Sequence, residues 1–175
     1  MSKVLLLTGS ARPNSVSSKV AAEVAEAVTR SGNEANIVEV ASLSLPFFDA
    51  PTPPSADEYA ITNPAVQAWS DQVEAADAVI WVMPEYNHLM SGIQKNAIDW
   101  LYSEWKDKPL ALVGYGWYEG ANTIAAAKHV CDIIKPDLRA EVGLGFMKQL
   151  NVDGTPLDAA AVATALDEAI TKLVA

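Results

Sequence analysis

Apolar runs and amphipathic stretches take strict turns along this chain, and that alternation limits its fold more than any other feature. Val4-Leu5-Leu6-Leu7-Thr8 is an unbroken apolar run closed by Gly9, the pattern of a strand covered on both faces. Helical periodicity follows over 17–31, with Val20, Val24, Ala27 and Val28 on one face and Gly32 just past the end. Further strands read over 35–40, 78–83, 110–113 and 141–144, and further helices over 64–76, 91–105, 120–134 and 158–174. Repeated β-α units require parallel strands joined by right-handed crossovers, with helices on both faces. The expected fold class is therefore α/β, a three-layer sandwich around a five-stranded parallel sheet ordered 2-1-3-4-5.

The length of 175 residues suits one domain, 1–175, with a substantial core. Between the second strand and the next helix, residues 41–64 carry five of the ten prolines (Pro46, Pro51, Pro53, Pro54 and Pro64) and no sustained period. A loop of that length in a compact domain predicts a lid or an interface.

Charge and cysteine usage narrow the partners. A net charge of -10 disfavours nucleic acid and anionic membrane, both of which need a basic footprint. No apolar run reaches a membrane span, and the start of the chain shows no charged-then-apolar leader. The lone Cys131 excludes an internal disulfide and fits a reducing, cytoplasmic setting, with its side chain on an apolar helix face.

In the 2-1-3-4-5 order the loops after strands one, three and four converge on one crevice at the carboxyl edge, where open α/β sheets bind ligands. The first of these loops reads Gly9-Ser10-Ala11-Arg12-Pro13-Asn14-Ser15-Val16-Ser17-Ser18. It is neither a G-x-G-x-x-G dinucleotide turn nor a G-x-x-x-x-G-K-[ST] triphosphate loop. Hydroxyls, helix N-terminal N–H groups and a planar guanidinium instead suit one compact phosphate dianion. The bland alternative is that Ser15 or Ser17 caps the helix while Arg12 stays solvated. The other two loops bring Tyr86, Asn87, His88, Tyr115, Trp117 and Tyr118, with Gly114 and Gly116 allowing close backbone approach. Flat aromatic faces and amide donors beside a single phosphate match the shape of flavin mononucleotide, FMN. Glu85 is expected to tether its loop. His88 is a candidate proton donor or, otherwise, a group lining the substrate space. Trp117 and Tyr118 are read as substrate-binding or as plain surface packing, and no metal is expected.

These strings together resemble the NADPH-dependent FMN reductase family, the flavodoxin-like group of small quinone, azo-dye and chromate reductases. The matching segments are Gly9-Ser10-Ala11-Arg12 with Ser15, Pro84-Glu85-Tyr86-Asn87-His88, Lys95-Asn96-Ala97-Ile98-Asp99-Trp100-Leu101, and Lys108 to Val113 leading into Gly-x-Gly. The resemblance implies non-covalent FMN, with its phosphate on Ser10, Arg12, Ser15, Val16 and Ser17. It places the ring on Pro84, Glu85, Tyr86 and Asn87 and on Tyr115 with Gly116. It also implies NADPH or NADH as co-substrate, a small-molecule acceptor, and ping-pong hydride transfer through the flavin. A homodimer or dimer of dimers would form through the helix holding Asn96 to Trp100, with Asp99 and Trp100 at the interface. The chain departs from the family pattern at Ser17, at Leu89-Met90-Ser91-Gly92, at Gln94 and at the bulky pair Trp117-Tyr118. Two rival readings stand beside it: a non-enzymatic flavodoxin-like electron carrier and, suggested by the unusual 89–94 stretch, a non-catalytic family member with a regulatory role.

Overall fold

The computed structural model describes residues 1–175 and bears out the alternation. Its elements are β1 (Lys3–Thr8), α1 (Ser17–Arg30), β2 (Glu34–Val38), a 3-10 turn (Val40–Leu43), α2 (Pro64–Glu74) and β3 (Ala78–Pro84). They continue as α3 (Gly92–Asp99), β4 (Pro109–Gly116), α4 (Ala121–Ile134), β5 (Asp137–Gly145) and α5 (Ala159–Leu173). All strand pairs are parallel and the sheet order is β2-β1-β3-β4-β5.

Because successive strand residues point to opposite faces, each central strand feeds two cores. Leu5, Leu7, Val79, Trp81, Met83 and Leu112 join Trp69, Ile98 and Trp105 on one side. Val4, Leu6, Ile80, Val82, Ala111 and Val113 join Val20, Val24, Leu166 and Ile170 on the other. Each fully buried side chain of this size contributes about 1.5–3 kcal/mol, so the sheet is fixed from both faces. No helix is long and apolar enough to cross a membrane.

Three boundaries differ from the periodicity. The helix expected over 91–105 stops at Asp99 because side chains claim its last groups. Trp105 Nε1 donates to the Ile98 carbonyl at 3.0 Å, and Tyr102 N–H donates to the buried Glu104 carboxylate at 3.2 Å. The Ile98 carbonyl takes its backbone bond from Leu101 N–H at 3.2 Å, an i to i−3 closure, and Tyr102 N–H is drawn off the i to i−4 ladder. The fifth strand begins at Asp137, four residues early, across a bulge opposite Leu110/Ala111. The bulge lets Leu138 pack on one core and Ala140 on the other, which hides the period of two. The second strand ends at Val38, where Val40 N–H turns to Thr8 Oγ1 at 3.2 Å.

The proline-rich loop is strapped to α3. Asn96 Nδ2 and Trp100 Nε1 both donate to the Pro46 carbonyl at 2.9 Å, and Phe48 N–H donates to Asn96 Oδ1 at 2.9 Å. Trp100 is only 6% exposed and packs edge-on against Phe48. Of Asp99 and Trp100, both expected at a subunit interface, Trp100 is instead buried against this chain's own loop. Cys131 is buried on α4, and burial pushes its thiol up to about 11.

Candidate functional site

The three loops predicted to converge do so. They frame a cavity of about 330 Å³ at the carboxyl edge of the sheet. Its lining takes Arg12, Ser15 and Val16 from the first loop, Pro84, Glu85 and Tyr86 from the second, and Tyr115, Gly116 and Trp117 from the third. Ser10 lies in an adjoining open cleft that shares Arg12, Asn14 and Ser15 with the cavity.

The first loop is shaped for an anion. No side chain caps α1, whose cap position is Val16. Ser17 N–H is accepted by Ser15 Oγ at 3.1 Å, while the N–H groups of Ser18 and Lys19 have no partner within the chain. Open N–H donors at a helix start, with the dipole behind them and the Arg12 side chain alongside, are the donor set a phosphate requires. Gly9 is dictated by packing, because a Cβ there would overlap Pro84 Cδ and Gln94 Oε1.

Serine roles divide in a way the sequence does not reveal. Ser10 Oγ lies 2.8 Å from the Tyr86 phenol oxygen and accepts from Arg12 N–H at 3.2 Å. The Ser17 hydroxyl, assigned to phosphate by resemblance, is buried and lies 2.6 Å from the Tyr115 phenol oxygen. It therefore positions the floor of the cavity and presents no hydroxyl to the opening. Burial pushes the Tyr115 phenol up to about 12, against the opposing pull of its Ser17 bond.

The second loop is a two-residue hairpin. Tyr86 and Leu89 exchange backbone bonds of 2.8 and 3.0 Å, and Asn87 and His88 between them both take positive φ, 50° and 69°. That is the geometry of a type I′ turn. Glu85 tethers this loop as expected: its carboxylate, almost fully buried, accepts from Asn122 N–H at 3.1 Å and from Asn122 Nδ2 at 2.9 Å. The negative charge thus sits at the α4 N-terminus, where the helix dipole favours it. Asn87 and His88 stand outside the lining. His88 Nδ1 is 3.6 Å from Glu85 Oε1, and its ring stacks on Tyr118 with centroids 5.6 Å apart. His88 and Tyr118 therefore form part of the outer rim, beside Trp117, which is 62% exposed.

Asn14, Phe146 and Val152 also line the cavity, and sequence reasoning missed them. Phe146 meets Trp117 edge-on at 5.5 Å and Tyr115 at 6.3 Å. The signal was available: β5 neighbours β4, so the segment after β5 must emerge at the same edge.

The sequence profile of the NADPH-dependent FMN reductase family matches residues 2–141. The chain belongs to that family. An NAD(P)H-dependent FMN reductase of Schizosaccharomyces pombe is 33% identical over 134 residues, covering 76% of this chain and 67% of that protein. A quinone reductase of Escherichia coli is 35% identical over 109 residues, covering 62% of this chain and 54% of that protein. Among solved structures, FerB, the NAD(P)H:(acceptor) oxidoreductase flavoenzyme of Paracoccus denitrificans, superposes with a TM-score of 0.76 at 23% identity, covering 99% of this chain and 98% of that one; it matches the fold. Family membership makes the chain an oxidoreductase with FMN as cofactor and NAD(P)H as co-substrate. The residues present fit that cofactor: a single-phosphate donor set leads into a cavity walled by aromatic rings and backbone.

Proposed function

We propose that this chain, acting as one domain over 1–175, oxidises NAD(P)H and reduces a flat acceptor of the quinone or free-flavin class by a ping-pong route. The observation that carries the reading is the cavity at the carboxyl edge, joined to an uncapped helix start and open along an aromatic rim. FMN held there would supply the two-electron chemistry between nicotinamide and acceptor. Arg12, Ser10, Ser15, the Val16 backbone and the open N–H groups of α1 hold the phosphate. Pro84, Glu85, Tyr86, Tyr115 and Gly116 make the surface for the ring. Asn87 sets the hairpin that carries Tyr86. Trp117, Tyr118 and His88 border the side where nicotinamide and acceptor take turns, and Phe146 and Val152 wall off water. No protein nucleophile is needed.

The quinone reductase relative of Escherichia coli favours a quinone as acceptor. An electron carrier would enclose its flavin instead of leaving an exposed Trp117 and Tyr118 at a mouth. Assembly as a homodimer or dimer of dimers, through the outer edge of α3 at Lys95 and Asp99 and the exposed Phe47, belongs to this reading, as does a reducing cytoplasmic setting. Steady-state assays of the FMN-loaded protein with NAD(P)H and a quinone test it. Parallel double-reciprocal plots are expected; no oxidation of either coenzyme would overturn it.

A further inference from the structure

We propose that the rim of this site selects NADH over NADPH, because each lysine beside the mouth is already held by a carboxylate that remains there to repel a second phosphate. The inference rests on the functional reading above and names its coenzyme. The two coenzymes differ by one phosphate on the adenosine ribose, carrying about −1.5 to −2 charge near neutral pH. A protein accepts that group with a cation whose donors are open, typically an arginine.

The mouth offers no such cation. Lys148 lies two residues past the cavity-lining Phe146 and is ion-paired with Glu119, two residues past the cavity-lining Trp117. Lys19 lies three residues past Val16, 2.9 Å from Asp153, the neighbour of Val152. Arg12 alone has no carboxylate partner, and it stands at the α1 start, where the cofactor's own phosphate needs it.

Glu119 is seated by the fold. It takes a left-handed φ of 59°, its N–H donates to the Gly116 carbonyl at 3.2 Å, and it lies over two glycines of β5, Gly143 and Gly145, where any Cβ would strike it. The sheet therefore leaves room for this residue. The two ion pairs also pin the 146–155 segment at both ends, one to the β4–α4 turn and one to α1. A phosphate that captured Lys148 would leave Glu119 unpaired beside it and loosen the wall carrying Phe146. The net charge of -10 adds a general repulsion of the more anionic coenzyme.

The test compares kcat/KM for NADH and NADPH with one quinone at low salt, together with calorimetric dissociation constants of NAD⁺ and NADP⁺ on the FMN-loaded protein. NADH should be favoured by about fivefold or more, the factor that an exposed pair of about 1 kcal/mol represents. Glu119→Gln frees Lys148 and should move both ratios toward the phosphorylated coenzyme by a similar factor. Lys148→Met leaves the carboxylate alone and should move them the other way. Equal or better use of NADPH, or ratios that neither substitution moves, would overturn the inference. Failure to take up FMN, or to oxidise either coenzyme, would instead overturn the reading of the site on which it rests.

Discussion

The Ser17 hydroxyl and the Tyr115 phenol oxygen lie 2.6 Å apart, joining the first turn of α1 to the end of β4 across 98 positions of sequence. Both side chains are buried, at 1% and 3% exposure. The loop that would grip the phosphate is thereby tied to the floor that would carry the ring, so neither can shift alone.

Ser17→Ala should therefore cost stability out of proportion to its size. It removes the 2.6 Å partner of a buried phenol, and a buried group that loses its partner costs about 1–3 kcal/mol. Tyr115→Phe removes the larger polar group and should cost less. Urea unfolding of the two variants and of the double variant checks this; additive losses would show that the bond carries no coupling.

Alkaline pH should loosen the same tie. The Tyr115 phenol is raised from 10.0 to about 12 by burial, so above pH 10 the unfolded chain releases this proton while the folded chain keeps it. Stability is then full below pH 10 and falls between pH 10 and about 12, by on the order of 2–3 kcal/mol for a shift of this size. The Cys131 thiol, raised from 9.0 to about 11 by burial, adds loss in the same direction from pH 9 upward. Tyr115→Phe should flatten the upper part of the curve and Cys131→Ala the lower part; a curve unchanged by Tyr115→Phe would reject the assignment.

Arg12→Ala should weaken FMN binding by about 1.5–3 kcal/mol, the worth of a charge-assisted hydrogen bond. Trp117→Ala, by contrast, should raise the coenzyme or acceptor KM with little change in FMN affinity, since Trp117 stands at the exposed mouth. Flavin fluorescence titration and steady-state kinetics on both variants separate the two roles. Equal FMN affinity in Arg12→Ala and wild type would return Arg12 to the solvent.

How much of this was legible in the sequence depends on what each residue type announces. The β-α alternation gave strand order and the converging loops, because buried parallel strands leave unbroken apolar runs such as 78–83. The tethering role of Glu85 was legible too, since a carboxylate after a strand-ending proline has few uses beyond one. Direction of a hydroxyl was not: Ser10, Ser15 and Ser17 look alike in one dimension, and only the neighbour Tyr115 decides that Ser17 turns inward. The end of α3 was hidden for a similar reason, because it depends on the distant reach of Trp105 and Glu104 to local backbone groups. Phe146 and Val152 follow the fifth strand, whose exit beside β4 the strand order implies, but their loop carries no motif that announces a lining role.

His88 offers the sharpest separation of stability from function. It occupies the second position of the type I′ turn at a φ of 69°, where a β-carbon is strained and glycine is the favoured residue. Holding a non-glycine side chain there costs on the order of 1 kcal/mol. The protein retains it, and the ring stacks on Tyr118 with Nδ1 3.6 Å from the buried Glu85 carboxylate. His88→Gly should relieve the strain and leave thermal stability equal or higher by about 0.5–1 kcal/mol, while removing the stacked pair from the rim and raising the coenzyme KM. His88→Gln keeps a side chain at the rim and, on the proposed reading in which the cofactor carries the chemistry, should preserve the NAD(P)H half-reaction to within a few fold. A stopped-flow loss of about a hundredfold, the scale at which general-acid catalysis operates, would make His88 the proton donor. A glycine variant that melts earlier than wild type would show that the His88–Tyr118 stack outweighs the strain of the turn.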